Sequence, residues 1–371
     1  MNLYKYRYLP KKKKKKKYWI KKKEQFYAYK KHKTKLNKKR SKHGNSKYNK
    51  NKLNYLQSIG IETPEIICFI ENTERTLNFF RELREMVDNK KILSIDLKPL
   101  KKISIEAALV FVSEVDRFRS IKKSGIKLYD EKKWDINIIS QFNDIGMFEL
   151  LNINITKRMR SINNYNTNIK FLKFSSGKTA NKDSRDKILK ALDELVGDIE
   201  ITGRKHLQRS LGEAMTNTAQ HAYPEDFVEK SLFKDKKWWV SASIEKDKHI
   251  LRFSIYDQGK TIPGTLKLEL YKDIFNRITS VLDSNRIKVA IESNKSSIKA
   301  KYRGKGLNDI KKYAEDIDEG ELTIISRKGF YNYKRNEESI TKELDISLDG
   351  TLISWKGCIK GDSIDELLYK Q

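Results

Sequence analysis

An α/β fold is what this sequence predicts, and three patterns carry the prediction. Short apolar runs alternate with segments of helical periodicity across residues 60–155. A helix-spaced polar triplet, Glu213, Asn217 and His221, is followed by two β-rich runs at 238–247 and 249–259. Beyond a glycine-containing turn at 303–307, three further β-rich runs close the chain. Strand and helix alternation argues for βα units, and 371 residues suffice for about two domains, each with its own core.

The first segment, 1–55, reads as a basic arm that is disordered in isolation. Residues 1–52 hold 23 Lys/Arg against a single acid, Glu24, so +22 of the chain's +30 lies there and only +8 is left for the rest. KKKKKKK (11–17) and KKHKTKLNKKR (30–40) repel themselves and bury too little apolar area to fold alone. Tyr4, Tyr6, Tyr8, Tyr18, Trp19, Phe26, Tyr27 and Tyr29 are interleaved with the lysines. Lysines on phosphates and aromatics on bases would suit RNA or DNA. A clamp on an acidic partner or membrane surface, or a plain solvated tail, suits the same composition.

Residues 56–155 read as a small α/β domain. ETPEIICFI (62–70) and KILSIDLKPL (91–100) end in or contain strand-like apolar runs. TERTLNFFRELREMVDN (73–89) has helical periodicity in Leu77, Phe80, Leu83 and Val87. SIEAALVFVSEVDRFRS (104–120) is a second helix, KLYD (127–130) a short strand and QFNDIGMFELL (141–151) a third helix. The polar stretch 156–182 reads as a connector with one strand, NIKFLKF (168–174).

The second domain, 183–371, opens on the amphipathic DSRDKILKALDELVGDI and continues into a helix at about 204–222. On that helix Leu207, Leu211, Ala214, Met215, Thr218 and Ala222 form the apolar stripe. Glu213, Asn217 and His221 stand beside it, four residues apart and so on one face. A carboxamide oxygen at Asn217 can hold Mg²⁺, a hard cation that also binds phosphate oxygens. A carboxylate one turn away, Glu213, can orient or deprotonate a nucleophile. HILRFSIYDQG (249–259) delivers Asp257 to a strand end, where a buried carboxylate can accept from an adenine amino group, and Gly259 permits close backbone approach. Residues 264–302 form a long, partly helical insert carrying Lys295, Lys299 and Lys301. RGKGLNDIKKYAED (303–316) is a glycine turn opening a helix; its amide end suits an anion, with Gly304 and Gly306 giving approach and Arg303 and Lys305 giving charge.

The order acidic–x3–Asn–x3–His-Ala, then Asp-x-Gly, then Gly-x-Gly-Leu resembles the GHKL ATPases, which include gyrase, Hsp90, MutL, sensor histidine kinases and the anti-sigma-factor kinases. The likeness spans about residues 185–360 and extends to the Gly-Thr of DGTLISW. It implies a Bergerat-type α/β sandwich: a mixed, largely antiparallel sheet with helices on one face and ATP between helices and lid. It further implies Mg²⁺ at Asn217, a general base at Glu213, adenine at Asp257 and Gly259, and phosphate at Arg303, Gly304, Lys305, Gly306 and Leu307, with His221 either on a phosphate or structural. The chain departs from the family's Asp-x-Gly-x-Gly, because Thr261 replaces the second glycine. The 56–155 segment resembles a STAS-type domain in IDLKPLKKISIEAALVFVSEVDRFR and DIGMFELL. At that family's phospho-acceptor position this chain has Ile105 and Glu106, with Ser104 just upstream.

Together these imply an ATP-binding regulatory protein with Mg²⁺-dependent chemistry. Three classes stay open: a serine/threonine kinase of the anti-sigma-factor type, an ATPase switch working by lid closure or homodimerisation, and a nucleic-acid-binding or scaffold protein using ATP only as a ligand. The expected partner is a STAS-like or transcription-regulatory protein. A sensor histidine kinase is disfavoured, since no dimerisation helix with a phospho-acceptor histidine precedes the ATPase unit. Cys68 and Cys358 lack metal spacing and read as reduced thiols of a cytoplasmic protein. No apolar run is long enough for a transmembrane helix, and the basic N-terminus lacks a signal-peptide apolar core.

Overall fold

The computed structural model describes residues 60–88, 94–122, 127–128, 131–150, 168–197, 201, 203–230, 235–266, 282–292 and 306–359. All belong to one compact unit, Ile59–Gln371. The arm read at 1–55 lies outside the described residues.

The α/β class holds. Two small parallel arrangements come first among the described residues. β1 (Ile61–Glu62), β3 (Ser94–Asp96) and β5 (Lys127–Leu128) form a three-stranded sheet, and β2 (Ile66–Ile67) pairs with β4 (Lys102–Ile103). α1 (Thr73–Asp88) buries Leu77, Phe80 and Leu83, the stripe its periodicity announces. α2 (Ile105–Lys122) starts where the Ser104 hydroxyl accepts the Ala107 N–H, 3.3 Å away. It is buried on nearly every side, Ala107 through Val112 included, because other elements cover it all round.

The single helix expected at 141–151 is two. α3 (Ile136–Asp144) begins earlier, capped by Asp135 accepting from the Asn137 N–H at 3.0 Å, and α4 (Met147–Leu150) follows a break. Gly146, at φ +72°, makes that break, since a left-handed residue cannot continue a helix.

A five-stranded sheet follows: β6 (Ile169–Gly177), β7 (Trp238–Glu245), β8 (Ile250–Asp257), β10 (Ile340–Cys358) and β9 (Glu321–Lys334), in that order. Every neighbouring pair is antiparallel, where a mixed, largely antiparallel sheet was expected. The runs 342–348 and 350–359 join as one strand, β10, that absorbs register shifts between Glu343 and Thr351.

Strand alternation sorts the side chains between two cores. Trp238, Val240, Ala242 and Ile244, with Leu251, Phe253 and Ile255, face one core. Over it lie α5 (Lys182–Val196), α6 (Arg204–Asn217), α9 (Asp283–Glu292) and α10 (Gly306–Asp316), through Leu192, Leu211, Ile287, Ile310 and Tyr313. Trp239, Tyr256, Ile325 and Leu352 point the other way, into a core shared with α1, α2 and α3. Helices on one face only were expected; here both faces are covered. The reason is the composition of the second face, which carries aromatic and aliphatic side chains too large to leave in water. Its polar residues are tied instead: the Ser254 hydroxyl donates to Ser354 at 2.9 Å, and Ser354 donates to Glu106 of α2 at 3.1 Å.

Candidate functional site

The motif helix is α6, and it places Glu213 and Asn217 one turn apart, both half-buried. Ser210, one turn earlier, donates its hydroxyl to the Asp309 carbonyl at 2.7 Å, which seats the first turn of α10 against α6. The α-helix ends at Asn217, and Thr218–Ala222 continue as one π-turn. His221 lies within that turn, half-buried, so the regular four-residue stacking expected from Asn217 to His221 does not persist.

The π-turn runs onto the end of β8. The Lys260 N–H donates to the Ala222 carbonyl at 2.5 Å, and the buried Tyr223 hydroxyl accepts the Gln258 N–H at 3.0 Å while donating to the Lys237 carbonyl at 2.6 Å. A β-carbon at Gly259 would lie 2.3 Å from the Ala222 oxygen. The close approach that Gly259 permits is therefore to the motif helix's own end.

Asp257 ends β8 at 7% exposure. Burial pushes its carboxyl up to about 7. The Gly259 N–H, donating to Oδ1 at 2.9 Å, and the Thr218 hydroxyl favour the carboxylate and offset part of that rise. Thr351 of β10 is the direct cross-strand neighbour of Asp257, buried, with its hydroxyl 2.9 Å from that of Ser326. Gly350 precedes it at φ +98°, where a β-carbon would overlap the Asp257 carbonyl oxygen at 1.9 Å.

Asn217 is one of several described residues with a buried polar atom that the fold leaves open. Its buried Nδ2 has no hydrogen-bond partner among the described residues. An amide nitrogen only donates, so what would answer it is an acceptor such as a phosphate oxygen, which leaves the carboxamide oxygen for an ion. The residues fit Mg²⁺ in donor chemistry, because a carboxamide oxygen and a nearby carboxylate are both hard ligands. Among the described residues no cluster of three or more His, Cys, Asp or Glu forms a protein-only metal cage, so an ion held here would take other ligands from water or phosphate.

The fold thus joins the first motif to the second through Thr218, Ala222 and Tyr223. The third motif is present as the start of α10: Gly306 and Leu307 are its first two residues. Arg303, Gly304 and Lys305 lie outside the described residues, as do Lys295, Lys299 and Lys301 of the insert. At the entry to the insert, α8 (Ile262–Thr265) is capped by the Thr261 hydroxyl accepting from the Gly264 N–H at 3.2 Å. That cap explains a threonine where the Asp-x-Gly-x-Gly pattern has glycine. Sequence reading missed Tyr223 altogether and counted Thr218 only as part of the apolar stripe. Neither has a spacing signal, since each acts by touching a strand end distant in sequence. No family model matches this chain, and no curated protein matches it.

Proposed function

We propose that the 183–371 half is a Mg²⁺-dependent ATP site of the GHKL kind, in a Bergerat-type sandwich, and that the protein is regulatory. The observation that carries this reading is the union of Asp257 with the motif helix. A carboxyl held at 7% exposure at a strand end is destabilising unless a ligand uses it, and it sits one hydrogen bond from the residue after Asn217. In this reading Asp257, with Thr351 beside it, accepts from the adenine amino group. Asn217 holds Mg²⁺, which would supply positive charge against the phosphates. Glu213 orients a water or an acceptor hydroxyl and takes its proton. The backbone amides opening α10 at Gly306 and Leu307 face the phosphate end. The first layer, STAS-like in sequence pattern, covers the opposite face of the sheet.

Within this reading a serine/threonine kinase and an ATPase switch differ only in the acceptor. The test is γ-labelled Mg-ATP added to the full chain alone, with a cell lysate, and with DNA or RNA. Label on a protein supports the kinase and free phosphate the switch; neither, with nucleotide bound, supports an ATP-liganded binder. Calorimetry decides the central claim: Asn217→Ala should weaken Mg-ATP by tenfold or more, on the order of the loss of one charge-assisted contact. Equal affinity in a folded variant overturns it.

A further inference from the structure

A cavity lies against the turn that follows β8. It is open to solvent on one side and holds about 380 Å³, within the range of small-ligand pockets. Four cations from four separate elements line it: Arg84 of α1, Arg117 of α2, Lys260 of the turn after β8 and Arg327 of β9. The one carboxylate on the lining is Asp349, already paired with Arg84.

The charges are not all compensated. Glu114, 1% exposed beneath the cavity, pairs with Arg84 and lies 3.6 Å from Arg117. Arg84 also donates to the Tyr256 hydroxyl at 3.0 Å, so it is held in place and contributes charge more than free donors. Arg327, at φ +58°, reaches Asp283 through Nε at 3.4 Å and is otherwise half-exposed. Lys260 makes no ion pair with any described residue. Phe227, from the short helix α7 (Glu225–Lys230), lines another part of the cavity and packs on Tyr223 with ring centroids 6.5 Å apart. Gln258, 8% exposed, also lines it; its Oε1 has no partner among the described residues, while its Nε2 donates to Glu114 at 3.0 Å.

We propose that this cavity binds a small organic oxyanion, a carboxylate or phosphate monoester with an apolar body. Glu114, Asp349 and Asp283 answer most of the charge; Lys260 and the outer edge of the Arg327 guanidinium are left toward the void, and guanidinium and ammonium groups suit oxyanions. Lys260 and Arg327 supply the contacts, the held Arg84 and Arg117 supply field, and Phe227 supplies a surface for the apolar part. The cavity borders the proposed nucleotide site at Gly259, which lines it, but neither Asn217 nor Asp257 does: Gln258 faces it, whereas Asp257 alternates to the other side of the strand.

The test uses the full chain, calorimetry at low ionic strength, and two probes, phenyl phosphate and phenylacetate. One or both should bind, and the tighter one names the anion class. The double variant Lys260→Gln/Arg327→Gln, at two partly exposed positions, should weaken the probe by about tenfold or more while keeping the parent's melting temperature within a few degrees. Phe227→Ala should weaken phenyl phosphate toward the affinity of inorganic phosphate. Saturating Mg-ADP should leave the probe bound. No binding of either probe, unchanged affinity in the double variant, or displacement by Mg-ADP would each overturn the proposal. Lysines of residues 1–52 contribute equally to parent and variant, so they do not obscure the difference. The variants decide the matter even if the protein binds no nucleotide.

Discussion

Asp257 is held at odds with its own ionisation. Its carboxyl titrates near 7 in the fold against 3.8 for the ordinary group, because burial penalises the charge. Between those values the native state keeps a proton that the unfolded chain has released. Stability therefore falls as pH rises from about 4 to about 7 and stays low above it. Asp257→Asn removes that dependence and keeps an acceptor for the Gly259 N–H. In nucleotide-free protein with chelator, the variant should be more stable than the parent at pH 8, by on the order of a few kcal/mol, with the gap closing toward pH 4. Urea titrations at the two pH values check this; a gap that is constant or reversed would show that Asp257 is not desolvated. The same variant should lose ATP binding, since stability and ligand use are opposed at this one group.

At the scale of elements, the join between the motif helix and β8 depends on one missing side chain. A β-carbon on Gly259 would meet the Ala222 carbonyl oxygen at 2.3 Å, and that oxygen is backbone, so it cannot swing aside. Gly259→Ala should push the π-turn from the strand end, breaking the Lys260–Ala222 hydrogen bond and the Thr218 contact to Asp257. We expect a loss of about 1–3 kcal/mol by denaturant unfolding, the usual range for overpacking, and a weakening of ATP binding larger than that of a remote variant of equal stability. Gly264→Ala in α8 is the comparison: a β-carbon there meets only the Thr261 hydroxyl at 3.1 Å and the flexible Lys260 side chain. Equal nucleotide affinity in both variants would separate Gly259 from the site.

Across the whole molecule, a buried polar group links the first layer to the sheet. Glu114 of α2 receives Arg84, lies 3.5 Å from the Tyr256 hydroxyl and accepts from Gln258 Nε2 at 3.0 Å. Removing one member leaves a buried guanidinium short of its partner. Glu114→Ala should destabilise by about 3 kcal/mol or more, whereas Arg84→Met with Glu114→Leu should recover most of that loss. Thermal unfolding of the single and double variants measures it; additive losses would mean the pair is not coupled. The arm gives an independent prediction. Deleting residues 1–52 removes +22 of charge, so affinity for single-stranded nucleic acid and its salt dependence should fall while ATP affinity stays. Filter binding at several salt concentrations decides, and equal binding by both proteins would make the arm inert.

The sequence by itself determined the local pieces: the amphipathic helices α1, α5 and α6, the strands β7 and β8, and the helical spacing of Glu213 and Asn217. Each follows from a periodicity that is read within one turn or one strand. It also determined where the charge lies. Only the tertiary structure decided that Asp257 meets Thr218 and Thr351, that Gly259 serves the helix end, and that β10 is one strand. Those facts rest on contacts between residues tens of positions apart, which leave no period in the chain. The same holds for the second face of the sheet. Trp239 and Tyr256 mark it as apolar, but nothing in their spacing says that α1 and α2 would cover it within one compact unit. The cavity of Arg84, Arg117, Lys260 and Arg327 was illegible for the same reason, since four lone cations acquire a shared field only when the fold brings them together.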